Sequence, residues 1–317
     1  MNDQEHHWVA ISGKFSREGS AITFEGKPLV NPSDQQPAVD PNGIPYSELG
    51  LYMSDQVLAE GLVEAVVTFS QMNAYQACEI VLYYDPSSGF RLHAGLAALG
   101  AFNVRYFDGR QFINHLMQGD RLNLKPDEPY RLTVRRVGAT VSMSVDGVDV
   151  AKTNLPWALP QSQVGLWCQS SSEISVSDFR VEARIPEAFV VMQFTDPFND
   201  LYADVIRPVC AEYGVEARRA DETTGPGFIL QDIVQQIEDS TFVIADISEP
   251  NPNVFWEVGY AHAIRKHTIL IADHETSLTF DVSGFRTLFY ENSIAGKRHI
   301  EDGLRKYINA IMTPQLP

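Results

Sequence analysis

Glu257 is a lone carboxylate among Val254, Phe255, Trp256, Val258 and Tyr260, and apolar company resists its ionisation because the charge loses water. A position on the first turns of a helix pulls the other way, since the amino-terminal dipole favours the anion. A group balanced between these effects can act as a nucleophile or as a general acid and base. The plain alternative is an exposed glutamate on an amphipathic helix, because glutamate is a good helix former. Upstream, Asp246 closes the apolar run Phe242-Val243-Ile244, and a polar loop with Asn251, Pro252 and Asn253 separates the two acids.

The elements that must position these acids read as strand, loop, helix, strand over residues 241 to 271. That order predicts a parallel βαβ unit with its polar loop at the carboxyl end of a strand, where open α/β sheets bind ligands. Both carboxylates are expected to face one crevice. The wider pattern predicts strands at 188–194, 215–219, 241–246, 268–272 and 286–290, with helices at 198–213, 227–239, 254–264 and 296–312. Asp196-Pro197 punctuates the first helix start and Gly225-Pro226-Gly227 the second. Loops at the same edge would gather Gln193, Phe194, Thr195, Asp196, Arg219, Asp221, Asp246, Asn253 and Glu257 around one pocket.

Each of these residues has a chemical and a structural reading. Phe194 can stack on a flat ring or lid the core. Arg219 can grip a phosphate or carboxylate, or pair with Asp221 or Asp246, and the Gly225–Gly227 turn can offer helix amides to an anion. Asn253 can orient a ribose hydroxyl or cap the helix that bears Glu257. Asp246 is placed to orient a sugar hydroxyl or a leaving base. Trp256, Tyr260 and His262 sit at helical spacings away from Glu257 and read as packing and surface residues.

The string ADISEPNPNVFWEVGYAHAIRKHTILI, with AFVVMQFTDPFNDLYADVIRPVCAEYGVEARRADE before it, resembles the nucleoside 2-deoxyribosyltransferase-like group, which is related to TIR-type NAD-cleaving domains. The resemblance spans about residues 186 to 312 and is most specific at Asp246, Asn253 and Glu257. It implies N-glycosidic cleavage, by hydrolysis or transfer, of a nucleotide or nucleoside such as NAD or a nucleoside monophosphate. Glu257 would stabilise or capture an oxocarbenium-like sugar while a neighbouring acid helps the base depart. This chemistry needs neither cofactor nor metal.

Residues 1 to 185 follow another pattern. Alternating runs such as LVEAVVTFS, CEIVLYYD, FRLHAGLA, YRLTVRRVG, TVSMSVDG, SQVGLWCQ and EISVSDFRVEA are separated by turn signals, as in an antiparallel β-sandwich. Asp146-Gly147 marks a tight hairpin. The order of these runs resembles concanavalin-like, laminin-G-like jelly rolls, many of which bind sugars, although a fold alone licenses no function. Tyr83, Tyr84, His93, Tyr106, Asp108 and His115 could line a concave face, or alternate between core and surface. No paired-acid string such as E-x-D-x-x-E suggests a glycoside hydrolase.

The 317 residues exceed one ordinary domain. Residues 1–185 hold 14 Lys and Arg against 21 Asp and Glu, net −7, and residues 186–317 hold 10 against 20, net −10. Neither part offers a basic field for duplex nucleic acid. Cys78, Cys168 and Cys210 are scattered, so buried free thiols are expected rather than a disulfide or zinc framework. No leader or 18-residue apolar run is evident, which predicts a cytoplasmic protein without membrane contact.

The resulting expectation is a two-domain β plus α/β chain: a jelly-roll sandwich for recognition or assembly over 1–185, then a flavodoxin-like parallel domain over 186–317. The expected activity is nucleotide N-glycosidic cleavage, with a sandwich-plus-effector layout similar to bacterial antiviral immune proteins. The rival is a catalytically silent nucleotide-sensing or carbohydrate-binding protein. The aromatic side chains Phe255, Trp256 and Tyr260 predict a homo-oligomer whose contact borders residues 254–264, unless Trp256 fills the core.

Overall fold

The computed structural model describes residues 6–33, 35–97, 100–157, 159–222, 229–277 and 284–313. Fourteen strands precede residue 185: β1 (Trp8–Ser12), β2 (Phe15–Glu18), β3 (Ala21–Phe24), β4 (Glu48–Leu58), β5 (Glu60–Phe69), β6 (Ala77–Tyr84), β7 (Arg91–Leu96), β8 (Phe102–Phe107), β9 (Phe112–Gln118), β10 (Pro129–Val137), β11 (Thr140–Val145), β12 (Val148–Asn154), β13 (Ser162–Ser170) and β14 (Ile174–Arg184). They form two seven-stranded antiparallel sheets, ordered β1-β4-β13-β6-β7-β8-β9 and β12-β11-β10-β5-β14-β3-β2. This is an antiparallel β-sandwich of two sheets.

Alternation builds it. In β6, Cys78, Ile80 and Leu82 enter the core between the sheets, as do Leu92, Ala94 and Leu96 of β7 and Val164, Leu166 and Cys168 of β13. The intervening residues must then stand on the opposite face of the same sheet. Asp146 and Gly147 adopt φ of 51° and 80°, the left-handed pair that a two-residue hairpin between β11 and β12 requires.

The second region begins with β15 (Glu187–Val191), followed by β16 (Glu216–Arg219), β17 (Phe242–Asp246), β18 (Thr268–Asp273) and β19 (Thr287–Tyr290). All neighbouring pairs are parallel, in the order β16-β15-β17-β18-β19. The inner strands β15, β17 and β18 are apolar nearly throughout, because both faces are covered, whereas the edge strand β16 alternates exposed and buried residues. The covering helices are α1 (Phe198–Leu201), continued through a π turn at Tyr202–Ile206 into α2 (Arg207–Glu212), then α3 (Ile229–Asp239), α4 (Pro252–Ala263) and α5 (Ile294–Met312). The π turn falls just ahead of Pro208, whose missing N–H breaks the regular helical ladder.

This corrects the expected fold class. The chain is mostly β, with two large antiparallel sheets, one five-stranded parallel sheet and four helical segments among the described residues, and a flavodoxin-like α/β domain is not evident. Residues 278–283, in the connection between β18 and β19, lie outside the described residues. The Gly225–Gly227 turn lies outside the described residues.

Candidate functional site on the outer face of the first sheet

The residues opposite the core on β6, β7, β8 and β13 form two rows. Strand pairing sets Trp167, Glu79, Gly95 and Asn103 side by side, and next to them Val81, His93 and Arg105. Gly95 is required there: a Cβ would lie 2.5 Å from both the Cys78 carbonyl oxygen and the Glu79 Cα.

Glu79, His93 and Arg105 are almost wholly buried, at 0%, 0% and 5% exposure. Arg105 Nε donates to Glu79 at 3.0 Å, and His93 Nδ1 lies 3.0 Å from the same oxygen, Oε2. Burial opposes charge on Glu79, but the Arg105 guanidinium and the hydrogen bonds from His93 and Arg105 outweigh it, holding the carboxyl below its ordinary range. Burial drives His93 down to about 4, against the pull of Glu79. His93 is therefore neutral at pH 7. Its Nδ1–H donates to the ionised carboxylate, which leaves Nε2 as an acceptor.

Aromatic rings close over this layer. The Arg105 guanidinium carbon lies 4.2 Å from the Phe112 ring centre and 4.6 Å from that of Trp167, and His93 meets both rings at 5.4 and 5.5 Å. Arg91, from the start of β7, packs over Phe107 at 4.1 Å and approaches Phe112 at 5.6 Å. Five buried polar atoms here have no hydrogen-bond partner: Glu79 Oε1, Arg91 Nε, His93 Nε2, Asn103 Oδ1 and Arg105 Nη2. Buried polar atoms are nearly always satisfied, so such a concentration calls for an explanation.

Of the six aromatic and polar residues expected on a concave face, His93 belongs to this cluster and Tyr84 packs beside it, against the group formed by Val81 and Trp167. Tyr83 and Tyr106 point into the sandwich core. Asp108 accepts from the backbone N–H groups of Arg110 and Gln111 in a turn, and His115 bonds the Asn154 carbonyl. Glu79, Arg91, Arg105, Phe112 and Trp167 were not singled out from the sequence. Their shared signal is a charged or aromatic side chain alternating with core residues on several strands, and it becomes visible only when the register is known.

The parallel sheet separates the residues expected around one pocket. Gln193, Phe194, Asp221, Asn253 and Glu257 do line a common cavity of about 860 Å³, with Trp256 on its rim. Burial pushes the Glu257 carboxyl up to about 7, so it can give or take a proton near neutrality. Asp246 is not among the residues that line it. Its Oδ2 accepts from Tyr290 Oη at 2.7 Å and its Oδ1 from the Ser248 N–H at 2.9 Å, next to a second cavity of about 720 Å³ that Ser248 and Tyr290 line. Burial, opposed by these bonds, raises its pKa. The two acids do not share a crevice: Asp246, at the end of β17, turns to Ser248 and to Tyr290 at the end of β19, while α4 carries Glu257 to the other cavity.

Arg219 takes the structural alternative. It forks onto Asp221 at 3.0 and 2.8 Å, donates to Asn199, and is stacked between Phe194 and Tyr202 at 5.1 and 4.5 Å. Gln193 donates to Glu249, Asp196 accepts from Asn199, and the Thr195 carbonyl accepts the Asn199 N–H. The cap of α4 is Asn251 rather than Asn253: Asn251 Oδ1 accepts from the Asn253 N–H, and Pro252 occupies the first turn. Trp256 does not fill the core. It is 42% exposed and stacks on Tyr260 at 5.8 Å.

No protein-family model and no curated protein matches the chain. Among solved structures, a carbohydrate-binding module from Bacillus subtilis is similar at 11% identity over 55% of this chain and 94% of its own, with a TM-score of 0.44. A β-glucanase from Bacillus licheniformis is similar at 13% identity over 56% and 92%, TM-score 0.38, and a galectin from Caenorhabditis elegans at 17% over 39% and 84%, TM-score 0.28.

These findings correct the functional expectation. Nothing found supports a nucleoside deoxyribosyltransferase-like or TIR-like region. Nucleotide N-glycosidic cleavage, NAD as a substrate and an antiviral NAD-cleaving role are withdrawn accordingly. The separation of Asp246 from the Glu257 cavity removes the geometry on which that mechanism depended.

Proposed function

We propose that the protein is a carbohydrate-binding recognition protein, and that the outer face of the first sheet is its sugar site. The observation that carries this reading is the set of partnerless polar atoms on His93, Asn103, Arg91 and Arg105 on one sheet face, with the rings of Phe112 and Trp167 packed on Arg105 and His93. Sugar hydroxyls both donate and accept, and can satisfy His93 Nε2 and Asn103 Oδ1 as well as the guanidinium N–H groups. The C–H faces of a pyranose ring suit an aromatic surface, and a few convergent polar groups within apolar walls are the usual make-up of a small-molecule site.

A glycan array with the intact protein tests the reading. Binding to at least one sugar class is expected, with Phe112→Ala weakening it by tenfold or more while circular dichroism stays unchanged. Phe112 is half-buried and lies over Arg105, so its removal strips the stacking surface at modest cost to the fold. A blank array, or full binding by Phe112→Ala, sinks the proposal.

A further inference from the structure

Two guanidinium groups share this face with one carboxylate. Arg105 is paired with Glu79 at 2.9 Å, whereas Arg91 makes a hydrogen bond to the Gly89 carbonyl and no ion pair among the described residues. His93 is neutral, and no other ionised side chain lies in the rows that hold Glu79, His93 and Arg105. The cluster thus carries an excess of one positive charge within a sandwich whose net charge is −7. Arg91 and Arg105 approach the same Phe112 ring, at 5.6 and 4.2 Å, and each has a buried N–H without an acceptor.

We infer that the sugar held here is an acidic one, whose ring carboxylate lies between Arg91 and Arg105 beside Phe112 while a ring hydroxyl donates to His93 Nε2. This rests on the carbohydrate-binding reading above and narrows it to uronic-acid-type residues. The unmet groups are the cationic donors Arg91 Nε and Arg105 Nη2 and the acceptors Glu79 Oε1, His93 Nε2 and Asn103 Oδ1; a uronate presents a carboxylate for the first and hydroxyl donors for the second on one ring. A carboxylate accepts two charge-assisted hydrogen bonds, which are stronger than those a neutral hydroxyl accepts. Arg91 is partly exposed, which leaves this side of the cluster within reach of a ligand arriving from solvent.

The experiment is calorimetric titration of the intact protein with galacturonate, glucuronate and mannuronate oligomers, each beside its own carboxyl-reduced neutral counterpart, at low and high salt. At least one uronate is expected to bind about tenfold or more tightly than its reduced partner, with the ratio shrinking as salt rises. Arg91→Gln should bring that ratio close to one, and Arg91→Lys should keep part of it. Equal affinity within every pair, or an unchanged ratio in Arg91→Gln, overturns the acidic-sugar inference and leaves the carbohydrate reading standing if neutral sugars bind. No binding to any pair overturns the inference as well, and together with a blank glycan array it removes both.

Discussion

The carboxyl of Glu257 binds its proton more tightly in the folded chain than in the unfolded one, because burial lifts its pKa from 4.5 to about 7. Between those values the unfolded chain releases a proton that the folded chain keeps, so this residue makes stability fall as pH rises from about 4.5 to 7. Glu257→Gln removes that slope and should stabilise the protein above pH 7 while changing little at pH 4.5. Urea midpoints of the two forms at both pH values check it, and a variant less stable at pH 8 contradicts it. Glu79 has the opposite character. It is fully buried and paired with Arg105, so Glu79→Ala leaves Arg105 buried without its counter-ion and should cost roughly 3–5 kcal/mol in urea unfolding. The apolar neighbours of Glu257 are adjacent in sequence, which made its desolvation legible from residue types alone. The neighbours of Glu79 lie on β7, β8 and β13, and no local pattern names them.

Strands and helices were legible wherever period and punctuation agreed. The apolar run at Phe242–Asp246 became β17, and the following loop and helix became α4 within two residues of the expected start. The cap was misread because Asn251 and Asn253 are both good capping residues, and Pro252 decides between them: Pro is suited to the first helical position, so the residue before it caps. Asn251→Ala should therefore destabilise α4 by about 1 kcal/mol, whereas Asn253→Ala should cost only a few tenths. Thermal unfolding of the two variants distinguishes them. The fold class was not legible, because it depends on how the strands are shared among sheets. Period-two alternation showed that the first region is a sandwich, but not which strands neighbour which, so the polar face of the first sheet stayed hidden.

At the scale of the molecule, the amino edge of the parallel sheet meets the sandwich. Glu60 at the start of β5 accepts from the Gly138 N–H at 2.6 Å, and burial, opposed by that bond and by the Thr241 hydroxyl, raises its pKa. Lys266, pushed down to about 8 by burial, donates to the carbonyls of Glu238 and Ser240. Asn154 reaches the Ile264 carbonyl at 2.8 Å. Two ion pairs, Arg135–Asp239 and Lys152–Glu238, lie on the rim with partly exposed side chains. Exposed pairs of this kind are worth little, so the seam should depend on close backbone approach rather than on charge. Gly138 marks that approach: its φ is +54°, and a Cβ there would lie 2.7 Å from the Thr241 carbonyl oxygen. Gly147, at φ +80°, has nothing within 4 Å, which makes it a control for backbone strain alone. Gly138→Ala should therefore lower the unfolding temperature by clearly more than Gly147→Ala, while Arg135→Ala with Lys152→Ala changes it little in low or high salt. A calorimetric scan of the three variants decides it. Equal losses from the two glycine substitutions would mean that the seam yields without cost, and a large, salt-sensitive loss from the double variant would mean that charge holds it together.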